Sequence, residues 1–269
     1  MYLGVDVGGT KTIVATLDNN GVILEREKFP TPKEYNEFLR SLFSAYEKFT
    51  VREFVATGVG IPATIIDRRN GVGNRFGNLP WHNVTIRSDM QQLIKCPVVV
   101  ENDAKLAALS ESKLVKNYRK VLYITVSTGI GFALVVDGVI DPSFGDGGGR
   151  TFLVEHDGRR VPWESFASGK AILKHFGLRA EDIQAPNVWN IIAKNIAVGL
   201  INLIAVTEPD IVIFGGGVGH YLPRYAQYLR SALKKYESSL LHIPPLKRAR
   251  RPDYAVIYGC YDLAKAVYG

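Results

Sequence analysis

Two glycine turns, each closing an apolar run, carry the residues best suited to chemistry. The first reads Asp6-Val7-Gly8-Gly9-Thr10-Lys11, and the second Ser127-Thr128-Gly129-Ile130-Gly131. Turn glycines let backbone N–H groups approach a phosphate with no Cβ in the way. Gly8, Gly9, Thr10 and Lys11 with Ser127, Thr128, Gly129 and Gly131 therefore suit the tail of one polyphosphate. Asp6, at a strand end beside the first turn, is placed to hold Mg²⁺ through water. Asp103 follows another apolar run and opens a helical pattern. It is the candidate general base, a role that contributes about 10²–10⁴-fold; its plain alternative is a helix N-cap. Gly215, Gly216 and Gly217 follow a third apolar run and leave bare backbone for a nucleotide base or ribose, or simply turn a strand into a helix. Positioned phosphates, a metal and an oriented hydroxyl are the requirements of phosphoryl transfer.

The elements around these turns repeat. After the first turn, residues 12–17 lead to Asp18, Gly21, Val22 and Ile23; after the second, residues 132–136 lead to Asp137, Gly138, Val139 and Ile140. Both read as strand, glycine turn, strand, turn, strand, which implies two related halves. The first half reads β-β-β-α-β-α-β-α. Thr31-Pro32-Lys33-Glu34 has the form of a capping box with proline at the first helical position, and Tyr35, Phe38, Leu39, Leu42, Phe43, Tyr46 and Phe49 form one apolar face behind it. Strands are expected at 54–59 and 97–101, with Asn102 capping a helix at 104–115. In the second half, strands are expected at 120–126, 210–214 and 254–257. Helices are expected at 163–176, 187–206, 221–236 and 259–268. The fold class is α/β in two domains: residues 1–118 with the closing helix 259–269, and residues 119–258, with a hinge near 117–120.

The chain has 269 residues, 46% of them apolar and 22% charged, as in an ordinary globular protein. No apolar run is expected to reach the roughly 18 residues of a membrane span. The N-terminus enters a strand directly, so no signal peptide is expected. The two cysteines, Cys96 and Cys260, have neither metal-ligand nor disulfide spacing. A reducing cytoplasm is the expected home. The net charge of +7 suits an anionic ligand, but the basic residues are scattered apart from Lys247-Arg248-Ala249-Arg250-Arg251. That cluster reads as a solvated loop rather than a phosphate or RNA patch, and neither nucleic acid nor membrane is an expected partner.

These motifs, in this order and over nearly the whole chain, resemble the ROK family of repressors and sugar kinases. That family sits in the actin-like, sugar-kinase and heat-shock ATPase superfamily. The resemblance implies two ribonuclease-H-like (actin-like ATPase) domains with an interdomain cleft, ATP and Mg²⁺ as cofactors, and a plausible homodimer. Gly60-Ile61-Pro62 and Asn78-Leu79-Pro80-Trp81 look like sugar-side loops. Glu101-Asn102-Asp103-Ala104 resembles the catalytic segment, implying Asp103 as base and Asn102 as a sugar contact. Trp163-Glu164-Ser165-Phe166-Ala167-Ser168-Gly169 resembles the segment whose Glu binds sugar hydroxyls, here Glu164. Gly215-Gly216-Gly217-Val218 resembles the adenosine motif. The implied activity is ATP-dependent phosphorylation of a hexose, glucose first, with inorganic polyphosphate as an alternative donor. The alternative class is a non-catalytic sugar- or nucleotide-binding, regulatory protein.

Three departures bear on function. Where family kinases carry Glu-x-Gly-His, this chain has Gly148-Gly149-Arg150-Thr151. Its Asp157–Pro162 stretch replaces the cysteine-rich zinc loop, so no structural zinc is expected. Ala63 stands where the family prefers glycine. A buried hydrogen bond to a sugar hydroxyl is worth roughly 0.5–1.5 kcal/mol, up to about 3 when charged, so losing two weakens or redirects sugar binding without touching the base. Arg150 and His156 are the two side chains near enough in sequence to take over.

Overall fold

The structure, a computed structural model, describes residues 1–269. The chain forms two compact units, Met1–Ser110 with Tyr254–Gly269, and Glu111–Asp253.

The first unit opens with β1 (Tyr2–Val7), β2 (Lys11–Leu17) and β3 (Ile23–Pro30), then α1 (Tyr35–Tyr46) and β4 (Ala56–Ile61). A three-stranded sheet follows, of β5 (Ala63–Asp67), β6 (Val72–Phe76) and β7 (His82–Val84). The unit's first pass ends with α2 (Ile86–Ile94), β8 (Val98–Asn102) and α3 (Asp103–Ser112). The chain passes to the second unit within α3, ahead of the expected hinge at 117–120.

The second unit runs β9 (Lys120–Val126), β10 (Ile130–Val136), β11 (Val139–Ile140), α4 (Gly148–Thr151), β12 (Leu153–His156), β13 (Arg159–Pro162), α5 (Glu164–Ala167), α6 (Gly169–Phe176), α7 (Pro186–Thr207), β14 (Ile211–Gly215), α8 (Gly216–Gly219), α9 (Leu222–Lys234) and β15 (Leu246–Arg248). The chain then returns to the first unit as α10 (Ala255–Tyr268).

The repeat seen in sequence is a repeat of topology. The main sheet of the first unit has the order β3-β2-β1-β4-β8, and that of the second β11-β10-β9-β14-β15. In both, the first two strands pair antiparallel around a glycine turn, and the first strand pairs parallel with a later one. Asp137 and Gly138 close the β10–β11 hairpin with φ of 51° and 79°, the paired positive values of a primed turn.

Alternation along β1 sorts its side chains. Leu3, Val5 and Val7 enter a core with Phe38 and Leu42 of α1 and Met90 of α2; Tyr2 enters a second core with Ile257 and Tyr261 of α10. On the α10 face, Gly4, Gly58 and Gly60 of β1 and β4 present bare backbone beside Tyr2, Ala15, Leu17 and Ala56. A Cβ on Gly58 would lie 2.2 Å from the Cys260 carbonyl oxygen. In the second unit, Leu122, Ile124 and Val126 of β9 pack with Trp189, Ile192, Ile196 and Leu200 of α7.

Several expectations need correction. Residues 254–257 begin α10 rather than forming a strand, and the last strand is β15. The helix expected at 163–176 is two, α5 and α6, because Ser168 is extended and caps α6 by accepting from Ala171 N. Thr31 does not cap α1, which starts after Glu34 without a side-chain cap. The sheet of β5 to β7 was not anticipated. One apolar helix, α7, is long enough to span a bilayer by length and composition. Its buried face is the centre of the second unit's core, which explains its composition.

Candidate active site

In the first unit the parallel strands β1, β4 and β8 end side by side. Asp6 is in register with Gly60, and Gly60 with Glu101. Ligands of open α/β sheets bind beyond such carboxyl ends. The turn after β1 is held from several directions. Gly8 N–H donates to the Lys11 carbonyl at 2.9 Å. The Thr31 hydroxyl donates to the Gly8 carbonyl at 2.8 Å, and Thr31 N–H to the Thr10 carbonyl at 3.1 Å. Thr31 thus braces the turn instead of capping a helix. Lys11 and Thr10 are exposed. Asn78 lies against the turn, since a Cβ on Gly9 would fall 2.8 Å from Asn78 Cβ.

At the end of β8, Asn102 caps α3 as its residue type predicts. Its Oδ1 accepts from Ala104 N at 2.9 Å and Lys105 N at 3.2 Å, and its Nδ2 donates to the Ala63 carbonyl at 3.1 Å. The cap leaves one amide hydrogen for any other partner. Asp103 Oδ1 accepts from Ala104 N at 2.8 Å. Behind both residues, and not foreseen, is an ion pair. Arg68 Nε donates to Glu101 Oε2 at 2.8 Å and Nη2 donates to Oε1, while Asn102 N–H also donates to Glu101 Oε1. Arg68 comes from the β5–β6 connection, in the sheet that sequence reading missed.

Asp6 keeps some contact with solvent, yet protein surrounds it on most sides. That desolvation, with the Asp103 charge adding to it and Lys11 opposing, pushes its carboxyl up to about 7. Two acids that resist ionising together are a natural seat for a divalent cation, which would neutralise both. The residues present therefore fit the Mg²⁺ reading, with Asp6 as holder.

In the second unit, the turn after β9 is closed by Ser127 N–H to the Gly129 carbonyl at 2.8 Å and held by Gly169 N–H to the Ser127 carbonyl at 2.6 Å. Glu164 stands directly behind it. Its Oε2 accepts from Ile130 N at 3.3 Å, and its Oε1 pairs with Arg150 Nε at 3.0 Å. Of the two side chains considered as replacements near the altered motif, Arg150 is the one at Glu164. His156 instead stacks face to face on Phe166, with ring centroids 3.7 Å apart. The zinc-loop stretch is a hairpin closed by Asp157 and Gly158 at φ of 50° and 71°.

Gly215 and Gly216 are required by their own surroundings. A Cβ on Gly215 would collide with the Tyr123 hydroxyl at 1.9 Å, and Gly216 has φ of 77° and lies on the Val126 carbonyl. Gly217 is different, because a Cβ there would meet nothing within 4 Å. Gly217 is exposed, so its own surroundings do not require a glycine. The basic cluster is the expected loop only from Ala249 to Arg251. Lys247 and Arg248 belong to edge strand β15, and with Lys113, Lys116 and Arg250 they line a cavity of about 490 Å³.

Comparison with known proteins adds the lineage. The sequence model of the ROK family matches residues 2–267. A glucokinase of Streptomyces coelicolor is 26% identical over 98% of this chain and 98% of its own length. A fructokinase of Streptococcus mutans is 27% identical over 100% and 95%. A crystal structure of a ROK hexokinase from Thermus thermophilus superposes with a TM-score of 0.80 at 29% identity, covering 99% of this chain and 98% of that one.

Proposed function

We propose that this chain, which belongs to the ROK family, is a sugar kinase that transfers the γ-phosphoryl group of ATP to a hexose hydroxyl. The observation that carries the reading is Asp103 at the mouth of β8, beside the desolvated Asp6 and in the same unit as a braced glycine turn. Kinase relatives that align end to end support it. The Asp103 carboxylate takes the proton of the acceptor hydroxyl as that oxygen bonds to the γ-phosphorus, and the bond from phosphorus to the bridging oxygen of ADP breaks. The backbone N–H groups of Gly9 and Thr10, and of Thr128 and Gly129, are the ones offered to phosphate, since those of Gly8 and Ser127 close the turns themselves. Lys11 offers a charge to them, and the Gly215–Gly217 turn takes the nucleoside. When bound, Mg²⁺ supplies positive charge to the phosphate oxygens. Asp6 is the residue that would hold it. Asn78 and the remaining amide hydrogen of Asn102 orient the sugar. Glucose is the first candidate.

A coupled ADP-release assay tests this with ATP and Mg²⁺ against glucose, fructose, mannose, N-acetylglucosamine and N-acetylmannosamine. The wild type is expected to release ADP only with sugar present. Asp103→Asn is expected to lose about 10²–10⁴-fold in kcat while folding normally. Sugar-independent turnover, no turnover at all, or an unchanged Asp103→Asn would defeat the proposal. Inorganic polyphosphate in place of ATP identifies the donor.

A further inference from the structure

We propose that the basic cavity of the second unit is a ligand site in its own right, built for a small molecule that carries two or more phosphate groups. It goes beyond the kinase reading, and no residue of the glycine turns lines it.

Two stretches far apart in sequence supply the charge. Lys113 and Lys116 come from the segment that follows α3, and Lys247, Arg248 and Arg250 from β15 and the loop after it. Hydrogen bonds bring the two together. Glu111 Oε2 accepts from Arg250 N at 2.9 Å and Oε1 from Arg251 N at 2.6 Å, so the last turn of α3 is tied to the chain just beyond β15. Ile213 of β14 also lines the cavity. Its neighbours Val212 and Phe214 enter the core with α7, so alternation puts Ile213 and the cavity on the other face of the sheet.

Folding has gathered five cations that repel one another, and the lining holds little negative charge to answer them. Glu111 is its one acid, and that carboxylate is buried and turned to backbone N–H groups. Lys247 lies over the Tyr118 ring, 5.4 Å from the centroid, and Arg248 Nη1 reaches the His220 carbonyl at 3.5 Å. Arg119, which follows Tyr118 but does not line the cavity, has its own acid: Asp137 pairs with it at 2.9 Å. A cavity lined by one sign of charge focuses the field and draws in the opposite ion. Its volume of about 490 Å³ falls among small-molecule sites, roughly 300–1,000 Å³, and exceeds what a lone ion needs. Cations from two stretches suit two phosphate groups, one against each.

Calorimetric titration of the full chain with fructose bisphosphate and with inorganic pyrophosphate reads binding without turnover, and so independently of the kinase reading. At least one of the two is expected to bind, and the tighter of them tells an organic from an inorganic ligand. Lys116→Ala/Lys247→Ala is expected to weaken that binding at least about tenfold. Lys234→Ala/Lys235→Ala removes the same charge at the end of α9, outside the cavity, and should change affinity by less than about twofold. Melting curves confirm that each variant is folded. No binding of either anion would overturn the proposal. Equal losses in the two double variants would overturn it as well, by revealing a general effect of charge. So would an unchanged affinity in Lys116→Ala/Lys247→Ala, which would put the anion elsewhere, as at the glycine turns.

Discussion

Asp6 is where a single side chain makes the whole protein sensitive to pH. An ordinary Asp has a pKa of 3.8, and in the folded chain this one is held up to about 7. Between those values the folded state keeps a proton that the unfolded state has released. Stability therefore falls as pH rises from about 4 to about 7, then levels off. The effect is on the order of a few kcal/mol. Asp6→Asn removes the titration, so its melting temperature should exceed that of the wild type at pH 8 and match it near pH 4. Saturating Mg²⁺ should raise the melting temperature of the wild type at pH 8 and leave the variant unmoved. Calorimetric scans of both proteins at the two pH values decide it, and parallel curves would refute the assignment. At this scale much was legible. Asp6, Asn102 and Asp103 stand out because a polar residue closing an apolar run has few structural reasons to be there. Arg68 did not stand out, because what defines it is a partner 33 residues away; Arg150 stood out only by its place in the altered motif, not by its pairing with Glu164.

At the scale of elements, glycine was the most readable signal and short strands the least. The turns at Gly8-Gly9 and Gly129 and the primed turn at Gly138 fall where their backbone demands place them. By contrast β5, β6 and β7 span five, five and three residues, and include Asp67, Asn74 and Arg75 among their apolar positions, so nothing in their periodicity marks a sheet. Residues 254–257 have the composition of a strand, but tertiary packing makes them the start of α10. Thr31-Pro32 has the form of a helix cap, yet the Thr31 hydroxyl is spent on Gly8. Glycines inside strands were harder to interpret from sequence, and α10 explains them. Gly58→Ala would drive a methyl into the Cys260 backbone. It is expected to cost about 3 kcal/mol, or roughly 5–10 °C of melting temperature. Gly217→Ala, with open space around it, should leave the melting temperature within about 2 °C of the wild type. A Gly58→Ala protein that melts with the wild type would mean that α10 does not bear on the sheet as described.

At the scale of the whole molecule, the α/β class and the repeated halves were legible because the repeat is written twice in the same order of residue types. The identical sheet order of the two units is its consequence. The division of the chain was harder to place. It runs through the last turn of a helix, where neither glycine nor proline marks a change.

That division gives the molecule a history as well as a shape. The second unit is a continuous stretch, but the first is completed only by α10, which the ribosome makes after everything in the second unit. Until then the glycine-lined face of β1 and β4 has no cover, and a nascent first unit exposes it to whatever else is nearby. The second unit should therefore reach its native state first. In refolding from denaturant, pulse-labelled amides of β9 and α7 should gain protection before those of β1 and β4. The reverse order would show that the first unit can organise its sheet without its last helix.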